Sequence, residues 1–375
     1  MKPKLRFKEF TDEWKQTTLN DFFDISAGGD IEKKHVSEYK TDNYIYPIYA
    51  NALTNNGLYG YSDIYKIDGK TITVTGRGDI GKAIARNGKY YPIVRLLVLK
   101  SKQEFNNIFF ENAINNIKLF QESTGVPQLT SPQLGKYSVF FPNISEQDKI
   151  ATLLSLLDKK IELQSKKIED LKLFKKGLLY KEFTGKQKNK KLSDCFKFGK
   201  AGGTPKSTVK EYYDGVIPFL SISDMTSQGK YLEKTDKSIS ESGLNNSSAW
   251  LVPSNSLIIS MYASYGLVSI NKIDLTTSQA MFDMIIKDEN DNEYIYYYLY
   301  YLYITNYYDS IVSTGTQPNL NAEQLKNLLL YIPTYEEQSI ISKRFISLDK
   351  RINLETEKLN KLSELKKGLM QKMFV

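Results

Sequence analysis

The hexapeptide Gly76-Arg77-Gly78-Asp79-Ile80-Gly81 has glycine spacing that can cradle a phosphate, and Lys82 and Arg86 follow it closely. The spacing matches the G-x-G-x-x-G pattern of dinucleotide sites, in which a glycine turn delivers a pyrophosphate to a helix N-terminus. Here the chain runs from Lys82 straight to the turn signal Asn87-Gly88, which leaves no room for that helix. Dinucleotide chemistry is therefore rejected. What remains is a basic loop in which Arg77, Lys82 and Arg86 could take phosphates or the O6/N7 edge of guanine, unless they are only solvated turn charges. A second stretch, Tyr262-Ala263-Ser264-Tyr265-Gly266, has no arginine. It offers Tyr262, Ser264 and Tyr265, with Gln279 further on in Thr276-Thr277-Ser278-Gln279. Glutamine can pair bidentately with adenine and serine with several base edges, the competing role being hydrogen bonding inside the fold.

Other chemistry is poorly supplied. The chain has a single histidine, His35, between Lys34 and Val36, so neither a histidine metal cluster nor a histidine relay can be built. The single cysteine, Cys195, has no C-x-x-C context, excludes an internal disulfide framework and reads as structural. There is no G-x-x-x-x-G-K-[ST] loop for ATP and no D/N-P-P-[FY] tetrapeptide of an amino-methyltransferase. Glu32-Lys33-Lys34 could supply part of a nuclease E-x-K, but no Pro-Asp pair precedes it. No catalytic residue, metal or cofactor is assigned to this chain. The formal charge of +8, from 51 Lys+Arg against 43 Asp+Glu, suits a polyanionic partner without requiring one. No window reaches the roughly 20 apolar residues of a membrane span, and no apolar leader follows Met1, so a cytoplasmic protein is expected.

The elements that must position these loops are announced by a repeat. Residues 141–183 and 332–374 align without gaps: Pro142 with Pro333, Glu146-Gln147 with Glu337-Gln338, Leu157-Asp158-Lys159 with Leu348-Asp349-Lys350, and Lys176-Gly177-Leu178 with Lys367-Gly368-Leu369. The first copy carries Ile150, Leu154, Leu157, Ile161, Gln164, Ile168, Leu171, Lys175 and Leu178 on one stripe. The second carries Ile341, Phe345, Leu348, Ile352, Glu355, Leu359, Leu362, Lys366 and Leu369 at the same steps. Alternating steps of four and three keep an apolar seam facing a partner helix. Asn143 and Thr334 are expected N-caps, with Glu146 and Glu337 at N3 completing capping boxes. Each helix should run about 38 residues, roughly 57 Å. Lone helices of that length are poor objects in water, so the two are expected to pair with each other, the alternative being that each packs on its own globular segment; if they pair antiparallel, the strand-rich segments are held apart. The pair would then act as a ruler separating two reading sites by on the order of one to two turns of duplex.

The intervening segments read as strand-rich and as diverged copies of each other. Strands are expected at 44–49, 71–74 and 94–99, and at 217–222, 256–260 and 280–286, with turns at Asn56-Gly57, Asp68-Gly69, Asn87-Gly88 and Asp214-Gly215. Ala27-Gly28-Gly29 recurs as Ala201-Gly202-Gly203, and Leu19-Asn20-Asp21 as Leu192-Ser193-Asp194. The loop at 73–83 parallels 259–268, and Thr124-Gly125-Val126-Pro127-Gln128-Leu129 parallels Thr314-Gly315-Thr316-Gln317-Pro318-Asn319-Leu320. Residues 294–308 contain nine tyrosines, read as a packed helix and protein interface rather than a base-stacking platform. The expected fold is α+β, with two mixed α/β domains at 1–142 and 186–332 and long helical spacers at 143–185 and 333–375.

These residues together resemble the specificity subunits of type I restriction–modification systems over essentially the whole chain. The resemblance is carried by Pro3-Lys4-Leu5-Arg6-Phe7 through Trp14, by Asn51-Ala52-Leu53-Thr54-Asn55-Asn56-Gly57, and by the Gly76–Lys82 loop. Ala201-Gly202-Gly203-Thr204-Pro205, Ile217 to Met225, Ser278-Gln279-Ala280, Thr314-Gly315 and the doubled helix complete it. Many members carry an Arg and a Thr-Ile-Gly in the loop where this chain has Tyr262-Ala263-Ser264-Tyr265-Gly266, so base-by-base reading is not transferred. The resemblance implies a non-catalytic subunit that reads a bipartite, asymmetric target in double-stranded DNA through two target-recognition domains. It implies two modification (methyltransferase) subunits that bring S-adenosylmethionine and methylate adenine. ATP- and Mg2+-dependent restriction/translocase subunits are the further partners it implies. The rival readings are a coiled-coil assembly protein without base specificity and a stand-alone DNA methyltransferase or nuclease.

Overall fold

The computed structural model describes residues 3–117, 128–312 and 319–374. The Thr124–Pro127 and Thr314–Pro318 parts of the paired motif lie outside the described residues. The chain divides into two compact units, Met1–Lys166 with Thr356–Val375, and Lys167–Glu355.

In the first unit, strand β1 (Lys15–Thr18) leads through helix α1 (Leu19–Phe22) into β2 (Phe23–Ala27), followed by β3 (Tyr46–Tyr49), β4 (Leu58–Ser62), β5 (Thr71–Val74), β6 (Ala83–Arg86), β7 (Tyr91–Pro92) and β8 (Leu97–Ser101). Helices α2 (Asn107–Asn115) and α3 (Ser131–Gly135) precede β9 (Ser138–Phe141) and the long helix α4 (Ile144–Phe183). A four-stranded sheet runs β2-β8-β5-β6, a three-stranded one β4-β3-β7, and β1 pairs with β9. Thr71–Val74 is buried at every residue, as a strand covered on both faces must be. Its core joins Phe23, Ile72, Val74, Leu99, Phe109 and Phe110 to Ile150 and Leu154 of α4.

The second unit repeats this topology. It comprises β10 (Lys190–Lys191), β11 (Phe196–Ala201), β12 (Tyr213–Leu220), α5 (Ile222–Gln228), β13 (Tyr231–Leu232), β14 (Lys237–Ile239), α6 (Glu241–Asn245), β15 (Leu257–Ser260), β16 (Val268–Asn271), β17 (Thr276–Thr277) and β18 (Met281–Ile286). Helices α7 (Asn292–Ile304) and α8 (Ala322–Lys326), strand β19 (Leu329–Leu330) and the long helix α9 (Tyr335–Met373) follow. The sheets run β11-β18-β15-β16-β13 and β14-β12-β17, and β10 pairs with β19. Strand for strand this is the first unit with one strand, β13, added. In both units the central strand of the small sheet pairs in parallel with the short strand, β3 with β7 and β12 with β17.

Three local expectations fail for identifiable reasons. The strand expected over 94–99 begins only at Leu97, because Val94 and Arg95 adopt left-handed φ of 51° and 57°. The strand expected over 217–222 stops at Leu220, where Ser221 caps α5 by accepting from the Asp224 N–H. Asp214-Gly215 is not a turn between strands. It lies inside β12, at a register shift between Tyr213 and Ile217, with Asp214 at φ 57°.

The two long helices pair antiparallel within each unit. In the first, Ile150, Ala151 and Leu154 of α4 share a core with Leu369, Met370 and Met373 of α9. In the second, Leu179 and Phe183 of α4 meet Ile341 and Phe345 of α9. Every stripe residue is buried or half-buried, including Leu157, Ile161, Ile168, Leu171, Leu178, Leu348, Ile352, Leu359 and Leu362. Leu179 and Phe183, which the stripe omits, are more deeply buried than Leu178, because both pack into the core of the second unit. The two stripe lysines close reciprocal ion pairs with the repeated Leu-Asp-Lys aspartates. Lys175 reaches Asp349 at 2.5 Å in the second unit, and Lys366 reaches Asp158 at 2.5 Å in the first. Glu355 is held by Lys167 at 2.7 Å.

The repeated Pro-x-x-x-Glu-Gln entry has a structural purpose that spacing alone does not reveal. Gln147 donates to the Pro142 carbonyl at 2.9 Å and accepts from the backbone N–H of Asn106, the N-cap of α2, at 3.0 Å. Gln338 does the same with Pro333 and with Asp291, the N-cap of α7, at 2.9 Å each. The preceding glutamates differ. Glu337 closes the expected capping box with Thr334. Asn143 caps the Glu146 N–H at 3.0 Å, but the Glu146 carboxylate turns away to take Arg6 bidentately at 2.7 and 2.7 Å and the Trp14 indole at 3.3 Å. The first box is therefore half-formed, its carboxylate diverted to the N-terminal segment.

Helix α7 buries Tyr294, Tyr296, Tyr297 and Tyr298. Tyr294 donates to the Tyr331 carbonyl and Tyr297 to the Asp349 carboxylate, at 2.8 and 2.7 Å. Burial raises the pKa of both phenols, with Asp349 adding to the rise at Tyr297. Buried rings of this kind are core, not a platform for bases.

Candidate nucleic-acid interface

The Gly76–Lys82 segment is the loop of a hairpin joining β5 to β6, with no helix after it. The loop is closed by Thr75 N–H to the Lys82 carbonyl at 3.0 Å, Gly81 N–H to the Thr75 carbonyl at 2.8 Å, and the Thr75 hydroxyl to the Asp79 carbonyl at 2.5 Å. Leu129 N–H reaches the Gly76 carbonyl at 2.8 Å.

The loop joining β15 to β16 has the same frame. Ser260 N–H donates to the Leu267 carbonyl and Gly266 N–H to the Ser260 carbonyl, each at 2.8 Å. The Ser260 hydroxyl donates to the Ser264 carbonyl at 2.6 Å, and Leu320 N–H to the Met261 carbonyl at 2.9 Å. The hydrogen bonds thus equate Thr75 with Ser260, Arg77 with Tyr262, Asp79 with Ser264 and Gly81 with Gly266. Gly81 and Gly266 take φ of 89° and 84°, and Gly78 and Ala263 take 66° and 41°. One backbone therefore presents two different sets of side chains.

A second turn lies against each loop. In the first unit it is Ile93–Leu96, closed by Leu96 N–H to the Ile93 carbonyl at 3.1 Å. A Cβ on Gly76 would lie 3.4 Å from the Arg95 carbonyl, and Asn51 ties the two segments by accepting from Gly76 N–H at 2.7 Å and donating to the Val94 carbonyl. In the second unit the turn is Ser278–Met281, closed by Met281 N–H to the Ser278 carbonyl at 3.1 Å and joined to the loop by Met261 N–H to the Ala280 carbonyl at 2.7 Å. The repeated glycines let the chain pass beneath these turns. A Cβ on Gly28 would sit 2.7 Å from the Pro92 carbonyl carbon, and one on Gly202 would sit 2.5 Å from the Ser278 oxygen.

The candidate residues divide accordingly. Arg77 and Lys82 are exposed on the first loop, with Arg77 Nη2 donating to Gln128 Oε1 at 3.3 Å. Arg86 is not available: it is 7% exposed, donates to Thr73 Oγ1 and the Asn56 carbonyl at 3.0 and 2.6 Å, and stacks 3.6 Å over the Tyr49 ring. It sits on β6 behind the loop, where burial lowers its pKa. In the second unit Tyr262, Ser264 and Gln279 are exposed and brought together by loop and turn. Tyr265 is a strut, half-buried, with its hydroxyl donating to Asp309 at 2.8 Å; that bond raises its pKa.

Sequence reasoning missed Asn51, which fixes the loop, and Arg95, which was absorbed into a Val-Leu-rich run read as strand. The signal that could have exposed the turn is Ala27-Gly28-Gly29, since paired glycines at a strand end imply close approach of another backbone. Cys195 is buried and its thiol is pushed up to about 11 by that burial, far from a reactive thiolate. No group of His, Cys, Asp and Glu suited to a metal ion occurs among the described residues. No helix among them is long and apolar enough to cross a membrane.

The chain thus carries an α/β unit twice, each with a matched hairpin loop, together with a repeated long helix. The family model of the type I restriction modification DNA specificity domain matches residues 11–173 and 185–364, and the chain belongs to that family. The type I restriction enzyme MjaIX specificity subunit of Methanocaldococcus jannaschii is 27% identical over 187 residues, covering 50% of this chain and 43% of that protein. The HindI specificity subunit of Haemophilus influenzae is 29% identical over 168 residues, 44% of this chain and 36% of that protein. The matched parts thus span less than half the length of these relatives. In fold, the chain is similar along 100% of its length to the S subunit of a type I restriction-modification system from M. genitalium, with a TM-score of 0.64, 18% identity and 99% of that chain covered.

Proposed function

We propose that this chain is the non-catalytic target-reading subunit of a type I restriction–modification complex. Two target-recognition domains, residues 1–142 and 186–332, each take one short block of double-stranded DNA, and the helical segments 143–185 and 333–375 space them. Modification subunits bound to this chain supply S-adenosylmethionine and methylate adenine, and restriction subunits supply ATP-driven translocation and cleavage. The observation that carries this reading is the pair of hairpin loops with one hydrogen-bond frame and different exposed side chains. A scaffold that keeps the frame and varies Arg77 against Tyr262 is suited to two unlike half-sites.

Methylome sequencing of cells carrying this chain with its modification partner tests the proposal. Two short blocks separated by an unread gap of fixed length are expected, and a single contiguous site would refute it. With the target known, Arg77→Ala should weaken binding through the first block alone, by roughly 1–3 kcal/mol if Arg77 takes a guanine edge. An equal loss on random duplex would make it a phosphate contact.

The spacer role has its own test. Inserting one heptad into both helices preserves the seam while adding about 10 Å. The preferred gap should then grow by about three base pairs, at roughly 3.4 Å each. An unchanged gap would remove the helices from the ruler role.

A further inference from the structure

Val94 and Arg95 hold φ of 51° and 57° in succession. Left-handed backbone is unfavourable for any residue with a Cβ, and most of all for a β-branched one. Burial does not repay it here, since Val94 is 46% exposed and Arg95 is exposed. The conformation is instead imposed by a dense local frame. Val94 N–H donates to the Gly29 carbonyl at 3.1 Å and Arg95 N–H to the Gly28 carbonyl at 2.9 Å, and the Asn51 amide donates to the Val94 carbonyl. The same Asn51 holds the Arg77 loop through Gly76.

The shared fold does not demand this strain. The counterpart turn in the second unit closes with the same 3.1 Å hydrogen bond, yet neither Gln279 nor Ala280 has a positive φ. The strained version is particular to the first unit, and it presents Val94-Arg95 where the second presents Gln279-Ala280. Among the described residues the Arg95 guanidinium has no hydrogen-bond or ion-pair partner, unlike Arg6, Arg77 and Arg86. Strain held in place at an exposed site is characteristic of a group whose orientation matters.

We infer that Arg95 is a base-reading residue of the first unit, taking a guanine edge next to the bases addressed by the Arg77 loop. A phosphate contact needs charge and tolerates a mobile lysine or arginine. A bidentate guanine contact needs a planar fork in fixed register, which a rigid turn supplies. The inference rests on the DNA-reading role proposed above and adds a residue and a base class to it.

The test uses the full chain assembled with its modification partner and competition binding against duplexes substituted one position at a time. Arg95→Gly removes the side chain at a φ that glycine adopts freely, so the turn survives; Arg95→Lys keeps the charge. Both variants should lose roughly 5- to 150-fold of discrimination at one G·C position in the first block, with the second block unchanged. Equal weakening on target and random duplex that lysine restores would overturn the inference in favour of a phosphate contact. Unchanged discrimination would overturn it outright. A wild-type complex with no block preference would instead refute the DNA-reading role itself.

Discussion

Replacing Arg6 by alanine is expected to cost the first unit about 3–5 kcal/mol, because it strands a buried carboxylate. The Glu146 side chain is fully buried, and among the described residues two of the three hydrogen bonds it accepts come from Arg6, whose side chain is itself 12% exposed. The pairing raises the Arg6 pKa, so at ordinary pH the cation is always present to balance Glu146. What would remain is the Trp14 indole at 3.3 Å and the positive end of α4, where Glu146 occupies the first turn. Trp14 touches Phe109 and Phe374, so its fluorescence reports this region, and a Trp250→Phe background isolates it. Urea unfolding followed at Trp14 should show the loss, and adding Glu146→Gln should return part of it. A loss below about 1 kcal/mol would mean that the helix terminus and Trp14 suffice to hold the charge.

The second large effect is in pH. Asp283 lies on β18 in the second unit, buried on all sides, and burial pushes its carboxyl up to about 7. Thr277 donates to it at 2.7 Å, and the nearby Trp250 indole favours the charged form, although among the described residues Trp250 Nε1 and Asp283 Oδ1 both lack a hydrogen-bond partner. The folded pKa is above the unfolded value of 3.8, so the folded state keeps a proton that the unfolded chain has released. The stabilising contribution is full below about pH 4 and is lost as pH rises towards 7, at about 1.4 kcal/mol per unit. Unfolding of the second unit, followed at Trp250 with Trp14→Phe, should therefore weaken by roughly 4 kcal/mol across that window. Asp283→Asn should flatten the dependence. A wild-type and variant difference that stays constant from pH 4 to 8 would show that the carboxyl is not held neutral.

Much of the architecture was legible because it is written as periodicity. The four-three stripe from Ile150 to Leu178, and its copy from Ile341 to Leu369, marks two helices with one buried face each; the helices and their pairing are what the structure contains. The duplication was legible in the same way, since Ala-Gly-Gly and Leu-x-Asp recur in order. What could not be read was anything decided by contacts distant in sequence. Arg86 looks like part of a basic loop, but it faces Thr73 and Tyr49, which only strand pairing brings beside it. Glu146 satisfies a capping-box spacing, yet Arg6 and Trp14 offer its carboxylate stronger partners. Val94 and Arg95 have strand propensity in a strand-like run, and the carbonyls of Gly28 and Gly29 override it. The candidate loops were locatable from glycine and charge, whereas which of their side chains face solvent was not.

The first unit is assembled from two separated stretches of the chain, Met1–Lys166 and Thr356–Val375. Leu5 N–H donates to the Lys372 carbonyl at 3.0 Å, and Met373 is buried in the core that contains Trp14 and Phe109. The second unit is one continuous stretch, Lys167–Glu355. During vectorial synthesis, then, the domain made first is finished last. Residues 3–117 emerge early but wait with an open hydrophobic face until 356–374 clear the ribosome, while the later-made unit can close before them.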